Sequence, residues 1–255
     1  MIPLRDDVPA SRPPVVTRAL VAVCAVVFVV QLADPEGELV RSFGMVPRRV
    51  FDPSDPAVLF GKVGRHGVAS GAIGPAGVPN WLTLFTCTFL HGGWLHFLGN
   101  MLFLWIFGDN VEDRFGRLRF LAFYLGCGAV ASAAHLLSDA DSLVPTVGAS
   151  GAIAGVMGAY LLLYPHARVQ MLVVLGFFVD MVVLPAPFFL GYWFLLQMIG
   201  SAVQRDGGGG IAFGAHIGGF VAGFVVAALL RAGELLRPAP PPIVLVRRRW
   251  HPGGR

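Results

Sequence analysis

The chain has 255 residues, of which 55% are apolar and 13% charged, with 33 glycines and 19 prolines. A soluble domain cannot hide that much apolar surface, so the composition excludes an ordinary water-soluble enzyme and points to a membrane protein. The formal charge of +4 comes largely from a tail where Arg247, Arg248 and Arg249 sit together. In a membrane chain that run reads as a cytoplasmic lipid-facing tail, not a nucleic-acid contact.

In chain order, a short segment (residues 1–14) precedes the first apolar run. Ala19 to Leu32 has the length of a signal peptide, but no small-x-small cleavage site follows and more apolar runs come later. It is read as a first spanning helix from Val15 to Ala33, with Arg18 snorkelling to the interface. Residues 34–80 hold six prolines (Pro35, Pro47, Pro53, Pro56, Pro75 and Pro79), which exclude a long helix. This long first loop is too apolar around Val58 to Phe60 to be a plain solvated linker, and part of it is expected to lie in the interface. Further spans are predicted over Trp94–Phe107 (with an apolar lead-in from Trp81), Leu118–Leu137, Ala149–Tyr164, Ala186–Val203 and Ile211–Leu230. Between the fourth and fifth spans, Val169 to Leu184 is apolar apart from Gln170 and Asp180. It is short for a seventh span and ends at Pro185 and Pro187, so an interfacial loop is expected. The Pro/Arg-rich tail, residues 232–255, is expected to be extended or disordered between Pro238 and Pro242. The predicted architecture is an all-α, six-transmembrane-helix bundle over residues 15–231. With six spans, 13 of the 19 Lys and Arg fall on the side of the termini, which places both ends in the cytoplasm. Cys24, Cys87 and Cys127 lie far apart, with no CxxC spacing, and read as packing residues.

Polar groups inside a bilayer are costly, so each requires a reason. Gly148-Ala149-Ser150-Gly151 opens the fourth span. A serine among glycines is usually a packing position, and Gly151 and Gly155 do form a GxxxG pair. A serine at a helix N-terminus also sits beside free backbone N–H groups, which can stabilise an oxyanion. The likeness to a G-x-S-x-G elbow is superficial, because Ala152 replaces the second glycine and no strand precedes it. His216 lies near the start of the sixth span, with Gly219 and Gly223 at i+3 and i+7 on the same small-residue face. If that face approaches the fourth helix, the imidazole reaches the Ser150 hydroxyl. His96 and Asn100 share a helix face at i, i+4. His91 lies about 140° away around an ideal helix, a poor spacing for shared metal ligation. HExxH is absent, so no metal site and no cofactor are expected.

Parity joins these sets. The second, fourth and sixth spans all begin on the outer face, so His96/Asn100, Ser150 and His216 share one depth. The chemistry this predicts is acyl transfer by a Ser–His dyad, with Ser150 as nucleophile, His216 as base, and the Ser150 N–H, His96 and Asn100 holding the oxyanion. No carboxylate is well placed to make a triad.

The sequence resembles the rhomboid proteases through His91-Gly92-Gly93-Trp94-Leu95-His96-Phe97-Leu98-Gly99-Asn100, Glu112-Asp113-Arg114, Gly148-Ala149-Ser150-Gly151 and Ala215-His216-Ile217-Gly218-Gly219. The resemblance covers nearly all of Arg18 to Leu230. It implies cleavage of single-pass membrane proteins in or near their transmembrane segments, with Ser150 and His216 catalytic and His96 and Asn100 as oxyanion partners. It also implies structural roles for His91, Gly148, Gly151 and Gly219, and for Glu112 and Arg114 in a polar cluster. Many relatives carry Trp-Arg before the first histidine; here the stretch is Trp81-Leu82-Thr83-Leu84, a departure that touches loop anchoring and not the dyad. The expected setting is the lipid bilayer of a bacterial inner membrane, and the expected partners are transmembrane substrates. Oligomeric state is left open. Two other readings are a non-catalytic rhomboid-like protein that binds membrane clients, which loss of the serine or histidine would mark, and a small transporter, which internal repeats would mark.

Overall fold

The computed structural model describes residues 2–55, 73–175, 178–203 and 212–238. The apolar stretch at Val58–Phe60 and the proline and arginine runs after Pro238 lie outside them. The elements are β1 (Ile2–Asp6), α1 (Val15–Leu32), α2 (Glu38–Phe43), α3 (Pro47–Phe51), α4 (Thr83–Thr86), α5 (Trp94–Phe115), α6 (Arg117–Ser138), α7 (Ser150–Leu163), β2 (Arg168–Leu175), β3 (Phe178–Pro185), α8 (Ala186–Val203) and α9 (Phe213–Ala232).

Six helices match the six predicted spans in order. Three of them, α1, α6 and α9, are long and apolar enough to cross a membrane. In α1 the buried residues Thr17, Leu20, Cys24 and Phe28 form one stripe, while Val23, Val26 and Val29 remain exposed. An outward apolar face on an apolar helix is what lipid contact requires. Cys24, Cys87 and Cys127 are free and buried, as packing residues should be.

Helix α5 continues to Phe115, eight residues past the predicted end, because its polar last turns are partnered. The Glu112 carboxylate accepts from the backbone N–H groups of Val16 (3.0 Å) and Thr17 (2.8 Å) and from the Thr17 hydroxyl (2.8 Å). It thereby caps the N-terminus of α1, whose first-turn N–H groups lack helical acceptors. Asp113 accepts from the Ser11 N–H, and Arg114 exchanges two hydrogen bonds with the backbone of Arg237. The three charged residues therefore tie both ends of the bundle to one turn.

The expectation of an all-α protein is corrected. Residues 169–175 and 178–184 are not a loop but lie in the paired strands β2 and β3, and β1 adds to them in an antiparallel sheet of order β1-β2-β3. Val169, Met171 and Val173 are buried while their neighbours are more open, the period of two that a strand imposes. Leu172 and Val174 made the run read as continuously apolar and hid that alternation. The Ala186 N–H donates to the Ala167 carbonyl at 2.7 Å. The strand pair thus leaves and returns at one point.

The first loop is held by Arg49, only 1% exposed. Its guanidinium donates to the carbonyls of Arg41 (2.6 Å) and Gly44 (2.7 Å), and its own carbonyl accepts from the Asn80 side chain. This anchor occupies a different part of the loop from the missing Trp-Arg pair. Met45 and Thr146 exchange backbone hydrogen bonds, which fastens the loop to the segment leading into α7.

Candidate active site

Ser150 is the first residue of α7. The carbonyl of Ala149 accepts the first helical bond, from Ile153, so the N–H groups of Ser150, Gly151 and Ala152 have no acceptor within the helix. They form a small positive terminus beside the hydroxyl. Just ahead, Gly148 has φ +128°, a backbone region open to glycine and strained for other residues. Its N–H donates to the Cys87 carbonyl at 2.9 Å. A Cβ at Gly148 would come within 2.7 Å of the His96 ring, so glycine there lets the imidazole lie flush on the turn before Ser150.

Helix α9 presses directly on α7. A Cβ at Gly219 would overlap the Gly151 carbonyl, one at Gly223 would overlap the Gly155 carbonyl, and one at Gly158 would overlap the Phe220 carbonyl. Backbone meets backbone along three turns, a packing only small residues permit. His216 rides on the same face of α9, and its Nε2 lies 2.8 Å from Ser150 Oγ.

The other ring nitrogen, Nδ1, lies 2.7 Å from Gln197 Oε1, on α8. Trp193, one turn earlier, sets its ring 5.6 Å from the imidazole at a 40° tilt. Neither residue was singled out from the sequence. The signal was present: Gln197 is the one amide in a mostly apolar helix, and a polar residue at membrane depth calls for a partner.

His96 accepts a hydrogen bond at Nδ1 from the Gly92 N–H (3.2 Å), which leaves Nε2 to carry the proton on the side facing Gly148. Asn100, one turn further along α5, is 7% exposed, and its side-chain NH₂ has no hydrogen-bond partner among the described residues. An orphaned buried donor is costly, and this one is open to an acceptor. His91 packs its ring edge-on against that of His96, with centroids 5.5 Å apart. The same ring packs edge-on against Phe28 and Phe97, and the His91 backbone exchanges two hydrogen bonds with the Gln31 side chain, joining α1 to the start of α5. Of the residues the sequence picked out, Ser150, His216, His96 and Gly148 meet, Gly151 and Gly219 form the contact that brings them together, Asn100 lies one helical turn from His96, and His91 buttresses the His96 ring.

Apolar helices around a hydrogen-bonded serine–histidine pair define the class: a helical membrane protein with that pair at one end of its bundle. The family model described as "Rhomboid domain" matches residues 78–233, more than half of the chain, and the protein belongs to the rhomboid family. It is 35% identical over 150 residues to Rhomboid protease GluP of Bacillus subtilis, covering 59% of this chain and 26% of that protein. It is 41% identical over 78 residues to RHOMBOID-like protein 5 of Arabidopsis thaliana (31% and 25%). It is 28% identical over 155 residues to the mitochondrial Rhomboid protein 1 of Saccharomyces cerevisiae (57% and 41%). The chain thus spans less than half the length of these relatives, and relatives occur in bacteria and in eukaryotes.

Proposed function

We propose that this protein is an intramembrane serine endopeptidase that cleaves membrane-protein substrates in or near their spanning segments. The observation that carries the reading is the 2.8 Å approach of His216 Nε2 to Ser150 Oγ at a helix N-terminus. His216 takes the hydroxyl proton as Ser150 attacks a peptide carbonyl. The tetrahedral oxyanion is held by the Ser150 N–H, the His96 Nε2–H and the Asn100 NH₂. Collapse breaks the C–N bond, and the leaving amine takes the proton from His216. Water, deprotonated by the same imidazole, then hydrolyses the acyl-enzyme. The otherwise unpartnered amide of Asn100 fits a donor reserved for the oxyanion.

On this reading all six long helices cross the bilayer, with both termini in the cytoplasm, as the distribution of arginines favours. A peptide bond inside a helix is shielded, so substrates with a helix-weakening Gly or Pro near the cut are expected.

A fluorophosphonate probe on purified protein in detergent tests this. Wild type should label at Ser150. Ser150→Ala should lose all label while staying folded, and His216→Ala should label slower by about 10³ or more, because an unassisted serine is a poor nucleophile. A wild-type protein that binds membrane clients but takes no label would instead be a non-catalytic member. Full labelling of Ser150→Ala would remove that serine from the chemistry.

A further inference from the structure

We infer that Gln197 is a positioning residue, which holds the His216 ring in its Nδ1–H tautomer so that the Nε2 lone pair faces the Ser150 hydroxyl. The inference rests on the serine–histidine reading above.

The amide orientation follows from its second contact. Gln197 Nε2 donates to the Trp193 carbonyl at 3.1 Å. Turning the amide over would set two oxygens against each other there, so Oε1 must face the imidazole. An oxygen at 2.7 Å accepts only from a protonated Nδ1, and a neutral ring protonated at Nδ1 is unprotonated at Nε2. In the reverse arrangement the proton sits on Nε2 and His216 is useless as a base for Ser150. Gln197 is 8% exposed, so water does not compete for the bond. Trp193 contributes twice, since its carbonyl holds the amide while its ring flanks the imidazole. One turn of α8 therefore grips His216 from two sides.

The arrangement performs the orienting part of a triad without an acid. A carboxylate at this depth would have to be desolvated; a neutral carbonyl avoids that. In the Ser–His–Asp template, losing the correct tautomer costs about 10⁴ in turnover. His96 and His135 are the other titratable groups that act on His216, and both are unchanged in the variants below.

Two substitutions test the proposal. Gln197→Met keeps length and removes the acceptor. Gln197→Glu keeps the acceptor and adds charge. In a Ser150→Ala background, where no catalysis is needed, ¹⁵N-histidine spectra at pH 8 should show His216 protonated at Nδ1 when Gln197 is present, and a mixed or Nε2–H population in the Gln197→Met variant. In the Ser150 protein, Gln197→Met should label with fluorophosphonate more slowly by about 10-fold or more. Gln197→Glu should label, with the acid limb of its pH–rate profile about one unit higher, because a carboxylate favours the imidazolium. Retention of either the Nδ1–H tautomer or the wild-type labelling rate in Gln197→Met overturns the proposal. So does a Gln197→Glu profile superimposable on wild type, which decides alone if the Met variant does not fold. A wild-type protein that takes no label refutes the protease reading instead, and the tautomer spectra still decide the role of Gln197.

Discussion

Replacing Gly219 by alanine separates the positioning of the site from its chemistry. The added methyl would overlap the Gly151 carbonyl oxygen, a backbone atom that no rotamer change can clear. The two helices must part by about 1 Å or more to restore ordinary contact. Overpacking of this kind costs roughly 1–3 kcal/mol. The effect on the site is larger. His216 lies three residues before Gly219 and Ser150 one residue before Gly151, so the separation acts directly on the 2.8 Å gap between Nε2 and Oγ. An added ångström carries that pair beyond hydrogen-bonding distance, and a misplacement of that size costs about 10² in rate. Gly126→Ala on α6 is the control, because a Cβ there meets nothing within 4 Å; alanine in a helix is worth up to about 1 kcal/mol over glycine. Thermal unfolding in detergent and fluorophosphonate labelling of the folded fraction read both terms. Gly219→Ala should melt lower and label about 100-fold more slowly, while Gly126→Ala should match or exceed wild type on both. Wild-type labelling by Gly219→Ala would show that the glycine contact does not set the site.

Two further substitutions probe the opposite end of the bundle. Burial, opposed by hydrogen bonds that include the one from Tyr160, pushes the Asp6 carboxyl up to about 6. A carboxyl raised in the fold contributes full stability only below its unfolded value near 4, and that contribution is lost as pH rises through about 6. Asp6→Asn, whose carbonyl still accepts from Tyr160 and Asn110, should therefore gain on the order of 1–3 kcal/mol over wild type at pH 8 and little at pH 4; an equal difference in melting temperature at both values would refute this. Glu112→Ala strips the acceptor from the Val16 and Thr17 N–H groups and the Thr17 hydroxyl, and should cost about 3 kcal/mol, with Glu112→Gln losing less. An unchanged melting temperature for Glu112→Ala would mean that the cap of α1 contributes nothing.

The parts of the fold that were legible in the sequence are those governed by apolar length and by small residues. Six apolar runs became six helices, and the proline-broken stretch after the first did not form a long one among the described residues. The glycines at 151, 155, 219 and 223 marked two faces able to touch a neighbouring helix, because a bilayer supplies no hydrophobic drive between helices and close backbone packing must take its place. The sheet was illegible for a related reason. Alternation marks a strand only when one face meets water, and β2 has apolar residues on both faces. Its pairing with β1 joins residues more than 160 positions apart in the chain, which no local pattern encodes.

The site divides along the same line. Ser150 and His216 stand at the starts of their helices among glycines, and parity put those starts at one depth, so residue type and position together pointed to them. Gln197 sits in the middle of a helix whose start faces the other way. Its position in space depends on where α8 packs, and the β2–β3 strand pair brings the chain back to the carbonyl of Ala167 before α8 begins. The six-span reading already ran this helix back from the end opposite Ser150, but it left open which face the helix turns to the site, and the only partners weighed for His216 were acids, of which none fitted. With α8 packed as it is, a polar side chain about three turns along it arrives at the depth of the imidazole.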